Sequence, residues 1–145
     1  MHITAGQHLK STPLLADTIF ENTTLLICEV NENGAWGVIT NKPFPRKLNE
    51  LVEFQQCQPF PLYEGGPVEQ EKLFFIHQRP DLIEGGKHIA NQFYWGGDFK
   101  QALNHINTQT IQVDQLQLFV GYCGWDKNQL QLEIEEGSWE LMSRK

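Results

Sequence analysis

Residues 24–40, TLLICEVNENGAWGVIT, decide the fold class of this chain. Two apolar segments, 24–30 and 35–40, are joined by the polar turn 31–34, NENG. Asn-Gly between apolar runs is a strong hairpin signal, because both residues tolerate left-handed φ. The stretch therefore predicts two antiparallel strands, the second of which stops at the Asn-Lys-Pro sequence of residues 41–43.

The remaining sequence predicts more strands than helices. Short apolar or alternating runs bounded by glycine, proline or polar residues are typical of strands. They occur at 62–63, 72–77, 88–95, 116–120 and 138–142. Apolar spacing and capping residues predict three short helices, at 48–54, 98–106 and 126–136. Asp98 is placed to cap the second helix, and Gly137 follows the third where glycine is favoured.

The order of these elements indicates an α+β fold. It runs mostly from strand to strand, which favours a bent, mostly antiparallel or mixed sheet flanked by a few short helices. Gly-Gly pairs at 65–66, 85–86 and 96–97 mark sharp corners, and glycine corners let a sheet bend. No repeat or linker divides the chain, so residues 1–145 are expected to form a single domain.

An excess of carboxylates restricts the partners expected for this chain. Eleven Lys and Arg against eighteen Asp and Glu give a formal charge of −7. Nucleic-acid-binding surfaces neutralise phosphates with Lys and Arg, so this balance argues against nucleic acid as a partner. The basic segment 42–47, KPFPRK, is explained by a solvated loop that its prolines stiffen.

Cysteine usage and hydropathy favour a soluble, cytoplasmic protein with no membrane partner. Cys28, Cys57 and Cys123 show no paired spacing, so reduced thiols are expected rather than disulfides. The first ten residues lack the apolar segment of a signal peptide. No apolar run in the sequence is long enough to span a bilayer.

No catalytic or cofactor motif is recognisable. The five histidines form neither H-E-x-x-H nor a paired Cys/His spacing, so no metal site is predicted. Neither glycine-rich phosphate-binding motif occurs, and no serine lies in G-x-S-x-G. We therefore assign no catalytic residue and expect no cofactor.

Cys123 is the remaining candidate for reactivity. It lies between a predicted strand and the helix expected from Asp126, and a helix N-terminus favours the thiolate. Free cysteines more often pack as small buried apolar residues, and that interpretation is preferred for Cys123.

Several motifs occur in an order that resembles the YqgE/AlgH family of small bacterial proteins. They are 11–20 (STPLLADTIF), 34–43 (GAWGVITNKP), 62–68 (LYEGGPV), 73–77 (LFFIH), 94–99 (YWGGDF) and 121–125 (GYCGW). The resemblance implies a compact α+β domain whose bent sheet forms a partial barrel. It implies no established biochemical activity, although some members are labelled transcriptional regulators. The chain departs from the family pattern at Lys42, where Arg is usual, and at Cys123, where Ser or Ala is typical.

Three functions follow from these observations, in decreasing order of support. The first is a non-enzymatic regulatory or interaction module with a protein or small-molecule partner. The second is a small-ligand binder or an enzyme with a glycine-walled pocket near Gly65, Gly66 and Cys123, and the third is a DNA-binding regulator. The candidate binding residues are Asn41, Pro43, Tyr63, Gly65, Gly66, Pro67, Tyr122, Cys123, Gly124 and Trp125.

Overall fold

The computed structural model describes residues 3–142, so residues 1–2 and 143–145 of the predicted domain lie outside it. Nine strands form within the described residues: β1 (His8–Ser11), β2 (Thr24–Asn31), β3 (Gly34–Ile39), β4 (Leu62–Glu64), β5 (Val68–His77), β6 (Lys87–Ala90), β7 (Phe93–Trp95), β8 (Leu116–Asp126) and β9 (Trp139–Leu141). Two α-helices, α1 (Phe99–Asn107) and α2 (Gln129–Glu135), accompany them. Short 3₁₀ turns occur at Pro13–Leu15, Leu48–Glu50 and Val52–Phe54.

All nine strands belong to one sheet with β8 near its centre. The strand order is β6-β7-β5-β8-β3-β2-β1-β9, and β4 pairs with β8 outside this path. The β4–β8 pair is parallel, whereas the remaining pairs are antiparallel. The predicted α+β class with a mostly antiparallel sheet is confirmed.

The hairpin predicted at residues 24–40 is present as β2 and β3. The ladder closes at the Asn31–Gly34 pair, so the two loop residues are Glu32 and Asn33. Gly34 alone takes a positive φ in this turn, +144°, while the Asn31 side chain accepts a hydrogen bond from the Asn33 N–H at 2.8 Å. A Cβ on Gly34 would overlap the Trp125 carbonyl, so this glycine also lets β3 approach β8.

Helix α1 also follows the sequence prediction. Asp98 accepts a hydrogen bond from the Gln101 N–H at 3.1 Å and so caps the helix. Its apolar stripe buries Ala102 and Ile106 against Leu118 of the sheet. The capping box is incomplete, because the Gln101 side chain accepts from the Glu84 N–H instead.

Three other predicted elements were wrong in detail. Residues 88–95 form the hairpin β6–β7, because Asn91 takes φ +53° and reverses the chain. The helix expected at 48–54 is two 3₁₀ turns. The last helix begins at Gln129 and not at Asp126, because Asp126 pairs with Gly34 and stays within β8.

The two faces of the sheet carry different apolar clusters. On the face that we call outer, α1 and α2 cover the strands, and α2 packs Leu130 against Trp125. The opposite, inner face holds one cluster that includes Leu26, Ile89 and Phe119. Because β2 and β6 stand far apart in the strand order, a shared cluster requires the sheet to bend around its inner face.

The bend brings the two ends of the sheet together without joining them. Ala90 of β6 lies so close to Gly6, just before β1, that a Cβ on Gly6 would overlap the Ala90 side chain. No ladder pairs β6 with β1 among the described strands. The sheet is therefore bent but not closed into a barrel.

Candidate functional site

Gly65 and Gly66 pack directly against the backbone of β8. The Gly65 N–H donates to the Val120 carbonyl at 2.9 Å, and the Gly65 carbonyl accepts from the Ile39 N–H at 2.9 Å. A Cβ on Gly66 would overlap the Tyr122 carbonyl, and a Cβ on Gly121 would overlap the Gly66 carbonyl. Gly65–Gly66 and Gly121 are thus adjacent, and main-chain atoms fill the space between them.

Cys123 lies inside β8, away from any helix N-terminus. Its side chain is 1% exposed, and its Sγ donates to the Gly65 carbonyl at 3.4 Å. Burial raises the pKa of the Cys123 thiol to about 12. The expected boundary between strand and helix at this position was wrong, because β8 continues to Asp126. Cys123 is a buried, protonated thiol that packs in the outer cluster containing Trp125 and Leu130.

The other predicted residues of the first half of the chain hold the backbone in place. Asn41 accepts from the Thr24 N–H and donates to the Asn22 carbonyl, both at 2.9 Å. Pro43 forms an isolated bridge with Tyr63, whose ring lies 5.8 Å from that of Phe119 on the inner face. Pro67 is exposed at the corner that leads into β5.

Tyr122 and Gly124 face a groove at one end of the inner face, which we call the aromatic groove. It has a volume of about 480 Å³, and Trp36, Phe74, Trp95 and Tyr122 line it. The Trp36 ring is central, because it lies 4.8 Å from the Trp95 ring and 5.7 Å from the Tyr122 ring. Edge-to-face contacts of this kind hold the four half-buried rings in fixed positions.

The polar lining of the aromatic groove is acidic. Glu69 and Asp126 contribute carboxylates, and no Lys or Arg is among the described lining residues. Burial and the Glu69 carboxylate, which accepts from the Tyr122 hydroxyl, raise the pKa of Tyr122. Lys72 forms an ion pair with Glu69 at 2.8 Å at the edge of the groove. Asp126 is exposed and has no ion pair within the described part of the chain.

Gly124 leaves an open space beside the central ring. It is exposed and pairs across the sheet with Trp36. A Cβ on Gly124 would meet only the Tyr122 ring, at an ordinary contact distance of 3.5 Å. This glycine therefore widens the groove and is not required by backbone packing.

Trp125 belongs chiefly to the outer face. Its indole N–H donates to Glu133 at 3.0 Å, and the same carboxylate oxygen accepts from the Trp139 indole at 3.1 Å. The two tryptophan rings pack edge to face at 6.3 Å. Trp125 anchors α2 and β9, and it reaches only the border of the aromatic groove.

A second cavity, which we call the end cavity, lies at the opposite end of the inner face. It has a volume of about 740 Å³ and extends between the two ends of the sheet that approach each other. Leu26, Ile76 and Ile89 form its apolar floor, and Gln117 of β8 contributes an amide. None of the ten candidate residues from the sequence lines this cavity.

His77 is fully buried, and both of its ring nitrogens have partners. Nδ1 accepts from the Arg79 N–H at 3.1 Å, and Nε2 lies 3.1 Å from the Gly96 carbonyl. Nε2 therefore carries the proton in the neutral ring, and burial lowers the pKa of His77. No group of three or more potential metal ligands occurs among residues 3–142.

The model of one protein family matches nearly the whole chain. The family is described as AlgH-like, and the match spans residues 8–145. This chain belongs to the AlgH-like family. The resemblance noted in the sequence is thereby confirmed.

Curated relatives support the same assignment within the AlgH-like family. A UPF0301 protein of Cytophaga hutchinsonii is 38% identical over 138 residues, which are 94% of this chain and 76% of the relative. A UPF0301 protein of Chlorobium limicola is 40% identical over 92% of this chain and 72% of its own length.

Two solved structures share the fold. The AlgH protein of Pseudomonas aeruginosa has a TM-score of 0.75 at 22% identity, covering 100% of this chain and 82% of its own. The protein DIP2367 of Corynebacterium diphtheriae has a TM-score of 0.79 at 21% identity, covering 100% of this chain and 78% of its own. At these identities the likeness is one of fold alone.

Sequence reasoning missed three rings of the aromatic groove in this AlgH-like protein: Trp36, Phe74 and Trp95. They come from three strands, β3, β5 and β7, and only the sheet order brings them together. A partial signal was available, since Trp36 and Trp95 each precede a glycine, as Cys123 does, in motifs already singled out. Among the described residues, no helix has the length and apolar character needed to cross a membrane.

Proposed function

We propose that this AlgH-like protein is a non-catalytic interaction module of the cytoplasm that binds a regulatory protein partner in its aromatic groove. The observation that supports this proposal is the fixed cluster of four half-buried aromatic rings beside open space at Gly124. Rigid aromatic rings supply much contact area at low entropic cost, and they dominate the energetics of many interfaces.

The occupant that fits this groove is a Lys or Arg side chain of the partner. Ring faces attract cations, and the exposed Asp126 carboxylate, which has no ion pair among the described residues, adds charge of the complementary sign. Lys87 already places its ammonium 5.3 Å from the centre of the Trp95 ring, which is an intramolecular example of the same contact. The formal charge of −7 favours encounter with a basic partner and opposes binding to nucleic acid.

The chemistry of the buried groups supports binding rather than catalysis. A thiol nucleophile needs a depressed pKa, but burial raises the pKa of both Cys28 and Cys123. A general base needs a free nitrogen lone pair, whereas Nδ1 of His77 accepts a main-chain hydrogen bond. The glycine-walled pocket considered near Gly65 is filled by backbone, so the geometry gives no support to an enzyme there.

A blocked groove tests the proposal. The Gly124→Leu variant places an aliphatic side chain beside Trp36, and Gln56→Leu adds the same side chain at an exposed site away from the groove. Proteins captured from the native extract by the wild type and by Gln56→Leu, but not by Gly124→Leu, are the expected partners. Near-ultraviolet circular dichroism must show that both variants are folded.

The captured partner must then be purified and titrated against each variant. We expect Gly124→Leu to weaken its binding at least tenfold, and Asp126→Asn to weaken it severalfold with a reduced salt dependence. Substitution of the partner's basic residue by an uncharged one should produce a similar loss. A partner that binds Gly124→Leu as tightly as the wild type would refute the role of the groove.

A further inference from the structure

The end cavity has the size and position of a small-molecule site. Its volume of about 740 Å³ falls within the range of about 300–1,000 Å³ that is usual for ligand pockets. It is built from elements distant in sequence, with Ala5 and Leu26 on one side and Ile89 and Phe93 on the other. The aromatic groove occupies the other end of the inner face, so the two sites share no lining residue.

The end cavity has an apolar floor, and apolar side chains also surround its opening. Ile76, Leu26 and Ile89 are buried members of the inner cluster, and they line the cavity floor. Phe93, Leu141 and Met142 are 36%, 39% and 40% exposed, and all three line the same cavity. Exposed apolar side chains gathered at one opening mark a place where apolar surface is covered on binding.

The polar side chains of the cavity are uncharged amides and two hydroxyls, together with His8. The amides belong to Gln7, Asn91 and Gln117, and the hydroxyls to Thr4 and Thr40. No Asp, Glu, Lys or Arg is among the described lining residues. A charged ligand would lose its hydration here without gaining an ionic partner, which is costly. A neutral ligand incurs no such penalty.

Gln117 is the group best placed to orient a ligand. It lies on the central strand β8 and pairs across the sheet with Ile76 of the cavity floor. Its side-chain amide is half-buried and forms no hydrogen bond with the described residues. An amide offers both a donor and an acceptor, so it can bind a hydroxyl, an amide or a carbonyl of the ligand.

We propose that the end cavity binds a neutral amphipathic small molecule, with its apolar part against Leu26, Ile76 and Ile89 and its uncharged polar group on the Gln117 amide. The site is independent of the partner proposed for the aromatic groove. Each proposal therefore stands or fails on its own experiment.

Three probes with the same apolar chain test the charge of the preferred ligand: 1-octanol, octanoate and octylammonium. Each is titrated into the full-length protein, and binding is followed by methyl NMR and by the shift in thermal unfolding temperature. We expect saturable binding of 1-octanol, with shifts confined to methyl groups of the end cavity such as those of Ala5, Ile76 and Ile89. Octanoate and octylammonium should bind at least about tenfold more weakly than 1-octanol.

A matched pair of glutamine variants tests the orienting group. Gln117→Leu replaces the amide by an aliphatic side chain of similar size. We expect it to weaken 1-octanol binding about three- to tenfold. Gln56→Leu makes the same change at an exposed position outside the cavity and should leave the affinity unchanged. The proposal is overturned by the absence of saturable 1-octanol binding to the wild type, by equal affinity for the charged probes, or by methyl shifts elsewhere. Unchanged affinity in a folded Gln117→Leu variant also overturns it.

Discussion

The Gly121→Ala substitution should destabilise this protein strongly although it adds a single methyl group. Gly121 has a φ of +74°, where a residue with a Cβ incurs about 1–2 kcal/mol of strain. The added Cβ would lie 2.9 Å from the Val68 carbonyl oxygen and would overlap that of Gly66, and both are main-chain atoms. Relief of such overpacking costs about 1–3 kcal/mol. We therefore expect a loss of about 2–5 kcal/mol from a domain whose stability is typically about 5–15 kcal/mol.

Gly124→Ala, three residues along the same strand, is the matched control. Its φ is outside the left-handed region, and its Cβ would meet only the Tyr122 ring at 3.5 Å. Alanine is favoured over glycine within a strand by about 0.5–1 kcal/mol, so this variant should be as stable as the wild type or slightly more stable. Urea unfolding followed by tryptophan fluorescence measures both, provided that the m-values agree. Equal losses in the two variants, or a loss below about 1 kcal/mol for Gly121→Ala, would refute the assignment of Gly121 as a packing glycine.

Three further substitutions or measurements test the buried polar groups. Because burial lowers the pKa of His77, below about pH 6.5 the unfolded chain binds a proton that the folded protein does not. The free energy of unfolding should therefore fall on acidification through that window, and urea titrations of His77→Gln should show a weaker dependence on pH; an unchanged dependence contradicts this. At pH 8 a thiol reagent should modify Cys57 in the native protein, but Cys28 and Cys123 only after unfolding, because both are buried and burial raises their pKa. Rapid modification of all three cysteines in the native protein contradicts this prediction. Glu133→Ala leaves two buried indole N–H groups unpaired and should cost about 2–4 kcal/mol in chemical unfolding, whereas Glu133→Gln keeps an acceptor and should cost less; equal losses contradict this account.

The parts of the fold that were predictable from sequence are those with local causes. The β2–β3 hairpin follows from two apolar runs around a polar turn, and α1 follows from the Asp98 cap and an apolar stripe. Both signals act within about ten residues, so a single sequence contains them. The turn itself differed, because tertiary contact of Gly34 with β8 fixed its conformation.

The end of β8 could not be predicted because its cause is distant in sequence. Asp126 with Gln129 resembles the start of a helix, and the Gln129 side chain does accept from the Asp126 N–H at 2.9 Å. Pairing with Gly34, across the sheet, nevertheless keeps Asp126 in the strand. The error over the helix start made Cys123 a candidate for reactivity, although the buried interpretation was preferred.

The candidate site was predicted only in part, because it too depends on contacts between residues distant in sequence. The sequence placed Gly65, Gly66 and Cys123 near one another, and in the structure Cys123 and Gly121 do lie against Gly65 and Gly66. Glycine permits either a ligand or another backbone segment to approach closely. At Gly65 and Gly66 the approaching group is the backbone of β8. The rings of Trp36, Phe74 and Trp95 converge only through the order of the strands, which local patterns do not encode.

Gly121 decides which residues of the 121–125 motif are available for binding. Along β8, Leu118 and Val120 pack in an outer cluster and Phe119 in the inner cluster, but after Gly121 the outer residues are Cys123 and Trp125. The left-handed glycine inserts one residue into the alternation, as a β-bulge does. Without that insertion Cys123 would face the inner side, and Tyr122 and Gly124 would face the outer side. The motif therefore divides into a buried pair, Cys123 and Trp125, that stabilises the outer layer, and an accessible pair, Tyr122 and Gly124, that lines the aromatic groove.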